Sequence, residues 1–331
     1  MAYTTIDDPS AFFQCSLYAG NAGTQTITHG GNSDLQADMV WLKGRNHAES
    51  TFVTDSVRGV NAQLYTNGTN AEGTETNVVT GFGSDSIAIG NYSDTNSSNK
   101  IYVSWNWKES ADAGFDIVAY TGSGSAKTVA HNLGVKPDVI ICKSRSGAEE
   151  WRPYFSALGA TFGMRFNDTN AKDDDAGYWN DVEPTSSVFT VGTNAGTNGD
   201  GVTFIAYCFS AKQGYSHFGS YTGNANADGP FIYTGFKPAF FIYKSSTTGG
   251  EEWKILDNKR DPINRGSQRN LNVHTNTAES DDANSIGEFV SNGVKIRSAH
   301  NNINKSGDKF IYLAFAENPL VTSKGIPATA R

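Results

Sequence analysis

Asp138-Val139-Ile140-Ile141-Cys142-Lys143 is a short apolar run closed by a lysine. Gly134-Val135-Lys136-Pro137 breaks the chain before it, and Ser144-Arg145-Ser146-Gly147 follows. A run of strand formers between turn residues reads as a buried strand. The same object stands upstream as Asp38-Met39-Val40-Trp41-Leu42-Lys43 and downstream as Ala239-Phe240-Phe241-Ile242-Tyr243-Lys244, after Gly235-Phe236-Lys237-Pro238. Lys43, Lys143 and Lys244 lie 100 and then 101 residues apart. A fixed spacing of this kind is the mark of an internal repeat.

Other landmarks keep the spacing. Tyr18-Ala19-Gly20, Tyr120-Thr121-Gly122 and Tyr221-Thr222-Gly223 each follow an opening strand. Alternating strands close the units at Ile101 to Trp107, Thr203 to Phe209 and Lys309 to Phe315. Their period of two puts Val103, Trp105 and Trp107, then Ile205, Tyr207 and Phe209, then Ile311, Leu313 and Phe315, on one side of a sheet. The reading is an all-β chain of three tandem β-sandwich, jelly-roll-like repeats of about 100 residues, spanning 12–113, 114–213 and 214–322. Residues 1–11 form an N-terminal arm and 323–331 a C-terminal tail. Expected strands of the first unit are 13–18, 24–29, 38–43, 51–54, 62–66, 86–90 and 101–108. Short helical turns are expected only within Asp55 to Tyr65 and Ala157 to Phe166. The joints, Lys108 to Ala113 and Ala211 to Gln213, are so short that a fairly stiff rod or arc is expected.

Composition agrees with many strands joined by turns: 35 glycines in 331 residues, and only 18% charged residues. The net charge of −8 gives no electrostatic reason to bind nucleic acid or an anionic membrane. No stretch is apolar enough to span a bilayer, and the first residues lack the basic and apolar regions of a signal peptide. Cys15, Cys142 and Cys208 are odd in number and sit at no shared repeat position, so reduced, buried thiols are expected.

Few residue patterns in the chain point to chemistry. Glu149-Glu150-Trp151 and Glu251-Glu252-Trp253 pair carboxylates, but neighbours in an extended chain point to opposite sides, and a turn followed by a core Trp explains them. Asp173-Asp174-Asp175 and Asp281-Asp282 lack the EF-hand spacing and read as solvated loops, with a weak calcium site as the rival. The six histidines show no metal-ligand spacing, and His29 and His131 occupy equivalent turns. No phosphate-binding glycine loop and no nucleophile elbow is present. Trp41, Trp151, Trp179 and Trp253 are weighed as sugar-stacking rings and as core. No catalytic, metal or cofactor residue is assigned. Two contact surfaces are expected: the extra loop of the third unit, with Asn258, Arg260, Asn264 and Arg265 at its tip, and the arm, with Tyr3, Ile6, Asp7 and Pro9, as a mobile segment or a docking segment.

The opening Met1 to Ala11, the turn Val129 to Asp138, and the endings Tyr312 to Pro319 and Ile326 to Arg331 resemble structural proteins of marine tailed bacteriophages, of tail-fibre or head-fibre type. That resemblance implies a non-enzymatic virion component assembled in the host cytoplasm and displayed on the virion surface. Its expected partners are other head or tail proteins, further copies of the chain, a trimer among the options, and a host surface glycan. A stand-alone carbohydrate-binding, lectin-like module and a polysaccharide depolymerase are the alternatives.

Overall fold

A computed structural model describes residues 2–264 and 266–329. The chain is almost entirely antiparallel β, with the same sheet order three times. In the first unit the order is Phe13–Ala19, Ile101–Trp107, Met39–Gly44, Phe52–Asp55, extended by Ala62–Tyr65 and Gly73–Thr74. In the second it is Phe115–Thr121, Thr203–Phe209, Val139–Ser144, Arg152–Phe155. The third runs Ser216–Thr222, Lys309–Pro319, Phe236–Ser245, Lys254–Asp257, Gln268–Asn272, Ser280–Asp282. The closing strand of each unit therefore sits between the opening strand and the lysine-ended strand. Most residues of these strands are buried on both faces, yet the face opposite Val103, Trp105 and Trp107 is mixed: Tyr102, Ser104 and Asn106 in the first unit, Phe204, Ala206 and Cys208 in the second.

Each main sheet carries a smaller sheet on one face. In the first unit the small sheet is Gln25–Thr28, Ser86–Ile89 and Val79–Gly83, and Ile27, Ile87 and Ile89 pack against Val40, Leu42 and Phe52. This is the expected sandwich. The strands Val79–Gly83 and Gly287–Val290 were not anticipated, because their glycines and polar residues hide the alternation.

The other face of each main sheet meets the other two. Val103, Trp105 and Trp107 join Ile205, Tyr207, Phe209, Ile311, Leu313 and Phe315 in one shared core. At its centre Trp107 lies 5.8 Å and Phe209 lies 5.9 Å from Phe315, ring centre to ring centre, edge to face. The rod or arc is thus corrected to a closed ring. Short joints do bring neighbours together, but the exposed apolar faces drive the third unit back onto the first.

Three matching backbone bonds mark the seams: Glu72 N to Arg145 O (2.7 Å), Lys172 N to Ser246 O (3.0 Å) and Glu279 N to Arg45 O (2.7 Å).

The repeated Tyr-x-Gly has a physical cause. Tyr18, Tyr120 and Tyr221 donate their hydroxyls to Thr95 O, Thr197 O and Ile303 O. Those carbonyls belong to one-turn helices at Ser93–Asn96, Ala195–Asn198 and Asn301–Asn304. The glycines lie so close to the end of each helix that a Cβ would sit 2.1 Å from Ser97 O, Gly199 O and Lys305 O. The helical turns expected at Asp55 to Tyr65 and Ala157 to Phe166 are instead reverse turns, with Gly59 at φ +90° and Gly159 at φ +85°.

The arm is folded onto its own chain. Tyr3 donates to Gly235 O (2.6 Å), Thr4 to Gln213 O (2.6 Å), Ile6 enters the shared core, and Pro9 is buried in a short 3-10 turn. Asp7 accepts from Ser323 N and Ser323 Oγ, which ties arm to tail. A mobile arm is therefore corrected: Ile6 and Pro9 gain burial by staying down.

Candidate binding cleft

The side chains with chemical potential are mostly drawn into the seams. Arg145 grips Glu72 through Nε and Nη2, both at 2.9 Å, and Arg45 grips Glu279 at 3.0 and 2.9 Å. Within the first unit Arg58 pairs with Asp55, and within the third Arg260 pairs with Asp257 at 2.6 Å, all four side chains fully buried. Each of these carboxylates also accepts a donor from another unit: Tyr207 Oη on Asp55 (2.6 Å) and Trp105 Nε1 on Asp257 (3.0 Å).

Two of the three landmark lysines end at seams too. Lys43 Nζ donates to Thr275 O (2.8 Å) and Lys143 Nζ to Thr69 O (3.1 Å), while Lys244 Nζ donates to Ser245 O (2.9 Å). Burial without a carboxylate in contact lowers Lys43 to about 7 and Lys143 and Lys244 to about 8. An amine titrating near neutrality is a nucleophile candidate, but these three point at carbonyl oxygens. Glu109 is raised to about 7 by burial, with Asp116 and Asp38 adding to the shift.

All four weighed tryptophans are core. Trp41 is 3% exposed, Trp179 1%, and Trp151 and Trp253 are fully buried. Trp151 Nε1 donates to Tyr65 O and Trp253 Nε1 to Arg165 O, each 2.8 Å across a seam, so sugar stacking by these rings is overturned. Glu150 accepts from Asn167, and Glu252 from Asn272 and Lys254, within their own units. Asp173 accepts from Tyr178 Oη, and Asp175 caps the helix Ala176–Trp179. Among the described residues no three His, Cys, Asp or Glu side chains are grouped to hold a metal. His29 contacts Ser16 Oγ (3.1 Å), and His131 Nδ1 accepts from Leu133 N (3.3 Å). The three cysteines are buried and unpaired. No described helix is long and apolar enough to cross a membrane.

The loop expected to carry surface contacts borders a cleft instead. One chamber of about 180 Å³ lies where the third unit meets the first, between Phe13, Gln14 and Gly31 and Ala239, Asn258 and Lys259. A second of about 320 Å³ shares Asn258, Lys259 and Glu317 and is walled by Lys237, Ile263 and Phe289. Asn258 is half-buried and lines both.

Arg260 is no surface residue. It is fully buried, because Asp257 and Glu279 hold its guanidinium inside. Asn264 is exposed, yet its amide both donates to Phe289 O (3.0 Å) and accepts from Phe289 N (3.1 Å), so it covers the edge of the strand Gly287–Val290. Arg265 lies outside the described residues.

The third unit also differs on its outer face. Phe231 (47% exposed) and Tyr233 (54%) flank the inward Ile232. The matching residues around the inward Ile27 are Thr26 and Thr28, and around the inward Val129 they are Thr128 and Ala130. Tyr233 Oη meets Tyr3 Oη at 3.4 Å, so the arm borders this aromatic face.

No curated protein and no solved structure matches the chain. A family model covers residues 8–319, nearly everything described above. The chain belongs to that family, DUF7483, a domain of unknown function.

Proposed function

We propose that the protein is a non-enzymatic structural component of a bacteriophage virion, displayed on head or tail and assembled in the host cytoplasm. The observation that carries the reading is the use of reactive side chains: the Arg–Glu grips, the Trp donors and two of the three buried lysines join one unit to the next around a closed ring. Such a ring builds a rigid body with loops outward, which suits a particle surface. The resemblance of the chain's ends and of the Val129 to Asp138 turn to phage structural proteins supports the same reading. Other head or tail proteins and further copies of the chain, as a trimer, are its proposed partners.

Mass spectrometry and gold labelling of purified particles test the assignment, and absence of the protein from particles rules it out. The depolymerase alternative is separated by incubation with host polysaccharide. Release of new reducing ends overturns the non-enzymatic reading; we expect none.

A further inference from the structure

The joint between the first and second units brings carboxyl groups together with no cation between them. Asp38, just before the strand Met39–Gly44, accepts from Glu109 N (2.8 Å). Glu109 Oε1 accepts from Ile117 N (3.0 Å). Asp116, 4% exposed, accepts from Asn132 N (2.7 Å) and lies within hydrogen-bond reach of the Glu109 side chain. Among the described residues none of these three carboxyl groups forms an ion pair.

The equivalent places in the ring avoid such a meeting. At the second joint Asp138 accepts from Ala211 N, again at 2.8 Å, but Ala211 stands in place of Glu109 and His217 in place of Asp116. Where the third unit meets the first, Glu317 pairs with Lys237 at 2.6 Å, and Gln14 and Ala239 replace Asp116 and Asp38. Two carboxyl groups in contact without a counter-ion hold a proton between them, because like charges that close do not both ionise. The remaining neighbours leave the proton in place. Cys208, opposite Asp116 on the strand Thr203–Phe209, is kept neutral by burial. His131, beside Asn132, accepts at Nδ1 from Leu133 N and contacts Thr185 O through Nε2.

Glu109 covers a sheet edge. The strand Phe115–Thr121 is the outermost of its sheet. Ser210 N donates to Gly114 O (2.8 Å), so by alternation Ile117 N turns to the open side, where the Glu109 carboxyl meets it.

We propose that Glu109 and Asp116 share one proton, and that this proton latches the joint. While it is held, Glu109 lies over the edge at Ile117. When it leaves, repulsion from Asp116 and Asp38 turns the half-buried Glu109 side chain out to solvent and uncovers the edge. Burial, with Asp116 and Asp38 adding to it, raises Glu109 to about 7. The folded joint therefore holds the proton more tightly than the unfolded chain, and the stability linked to it is lost as pH rises through about 7. At pH 8.5 the latched form is about thirtyfold rarer than the ionised one. The latch does not depend on the virion assignment, since it is read on the isolated chain.

Two measurements on the full chain test it. Carbon-13 NMR of the Glu109 carboxyl, assigned through its own backbone, is expected to titrate near pH 7. A midpoint in the ordinary carboxylate range overturns the proposal. Amide hydrogen exchange over 113–119, corrected for the intrinsic rate, is expected to be about tenfold faster or more at pH 8.5 than at pH 6, with the matching strand 216–222 unchanged. Glu109→Gln keeps an acceptor for Ile117 N and gains a donor for Asp116, and Asp116→Asn gives Glu109 a donor. Both variants are expected to stay protected at both pH values. The same pH dependence in the wild type and in Glu109→Gln overturns the latch, and so does wild-type protection that does not change with pH.

Discussion

Tyr207 donates its hydroxyl to Oδ2 of Asp55 at 2.6 Å, across the seam between the second and first units. The same oxygen also pairs with Arg58 Nε, with both the Arg and Asp side chains fully buried. Trp105 stands in the same relation to Asp257 and Arg260. The second unit solves this position without charge: Phe155 and Leu158 replace Asp and Arg, and Leu313 of the third unit takes the place of Tyr207. The ring thus contains two ionic versions and one apolar version of a single contact.

That internal comparison makes a sharp prediction. Asp55→Ala leaves Arg58 as a buried, poorly compensated charge, and the expected loss is about 3–5 kcal/mol. The triple change Asp55→Phe, Arg58→Leu and Tyr207→Leu installs the second unit's apolar set. It is expected to cost far less than Asp55→Ala alone, because no charge remains to desolvate. Urea denaturation of both variants reads the difference. A triple variant less stable than the single one refutes the equivalence.

The landmark lysines predict a pH dependence. Folding lowers Lys43 to about 7 and Lys143 and Lys244 to about 8, chiefly by burial. Between those values and the unfolded value near 10.4, the unfolded chain binds more protons than the folded one. Stability therefore rises with pH from about 7 towards 10 through these groups. Above about 10 the trend reverses, since burial raises the pKa of Tyr120, Tyr207 and Tyr221 while unfolded tyrosines ionise. Lys43→Met is expected to flatten the rise. Urea midpoints at pH 7, 8, 9 and 10 for both proteins measure it.

Much of this fold was legible because both of its faces obey simple periods. All seven strands expected in the first unit lie within one residue of their observed bounds. The closing of the ring was not legible. A face such as Val103, Trp105 and Trp107 says that something covers it, but not whether that is its own small sheet or another unit. The one-turn helices were missed since four residues carry no helical period, although Asn96, Asn198 and Asn304 recur in the repeat frame. Arg260 was misplaced because Asp257, three residues before it, was not recognised as a buried partner. The cleft was hinted at only by the extra length of its loop.

The recurring asparagines carry a prediction of their own. Asn198 accepts from Ser123 N (2.8 Å) and donates to Ser125 O (2.7 Å) and Gly192 O (2.5 Å). Asn96 and Asn304 bond the equivalent loops in the same way. Asn198→Ala strands Gly192 O in a buried position, at about 1–3 kcal/mol, and Ser123 N and Ser125 O in part-buried ones that cost less, so the expected loss is about 2–4 kcal/mol. Asn198→Asp keeps an acceptor but cannot donate, and it brings a charge towards two carbonyl oxygens. It is expected to be less stable at pH 7 than Asn198→Ala, with the gap narrowing at pH 4 as the carboxyl protonates. A thermal melt at each pH decides it, and a gap that does not change with pH overturns the assignment of donor and acceptor.

A final prediction concerns cooperativity. Residues 114–213 have a core of their own, built on Ile140, Tyr154, Trp179 and Phe189. Yet the same unit contributes Phe115, Ile117, Val139, Ile141, Trp151, Phe155, Ile205, Tyr207 and Phe209 to the shared core. Expressed alone, it would present that whole face to water, far beyond the few hundred Å² a soluble monomer normally exposes. At about 25 cal/mol per Å² of apolar surface, losing that burial removes more than the few kcal/mol by which a domain of this size is stable. The fragment is therefore expected to aggregate or to remain unfolded, and the full chain to unfold in a single transition seen alike by tryptophan fluorescence and far-ultraviolet circular dichroism. A folded, monomeric 114–213 fragment, or two separated transitions in the full chain, would mean that the three units merely touch and that the ring is not the unit of stability.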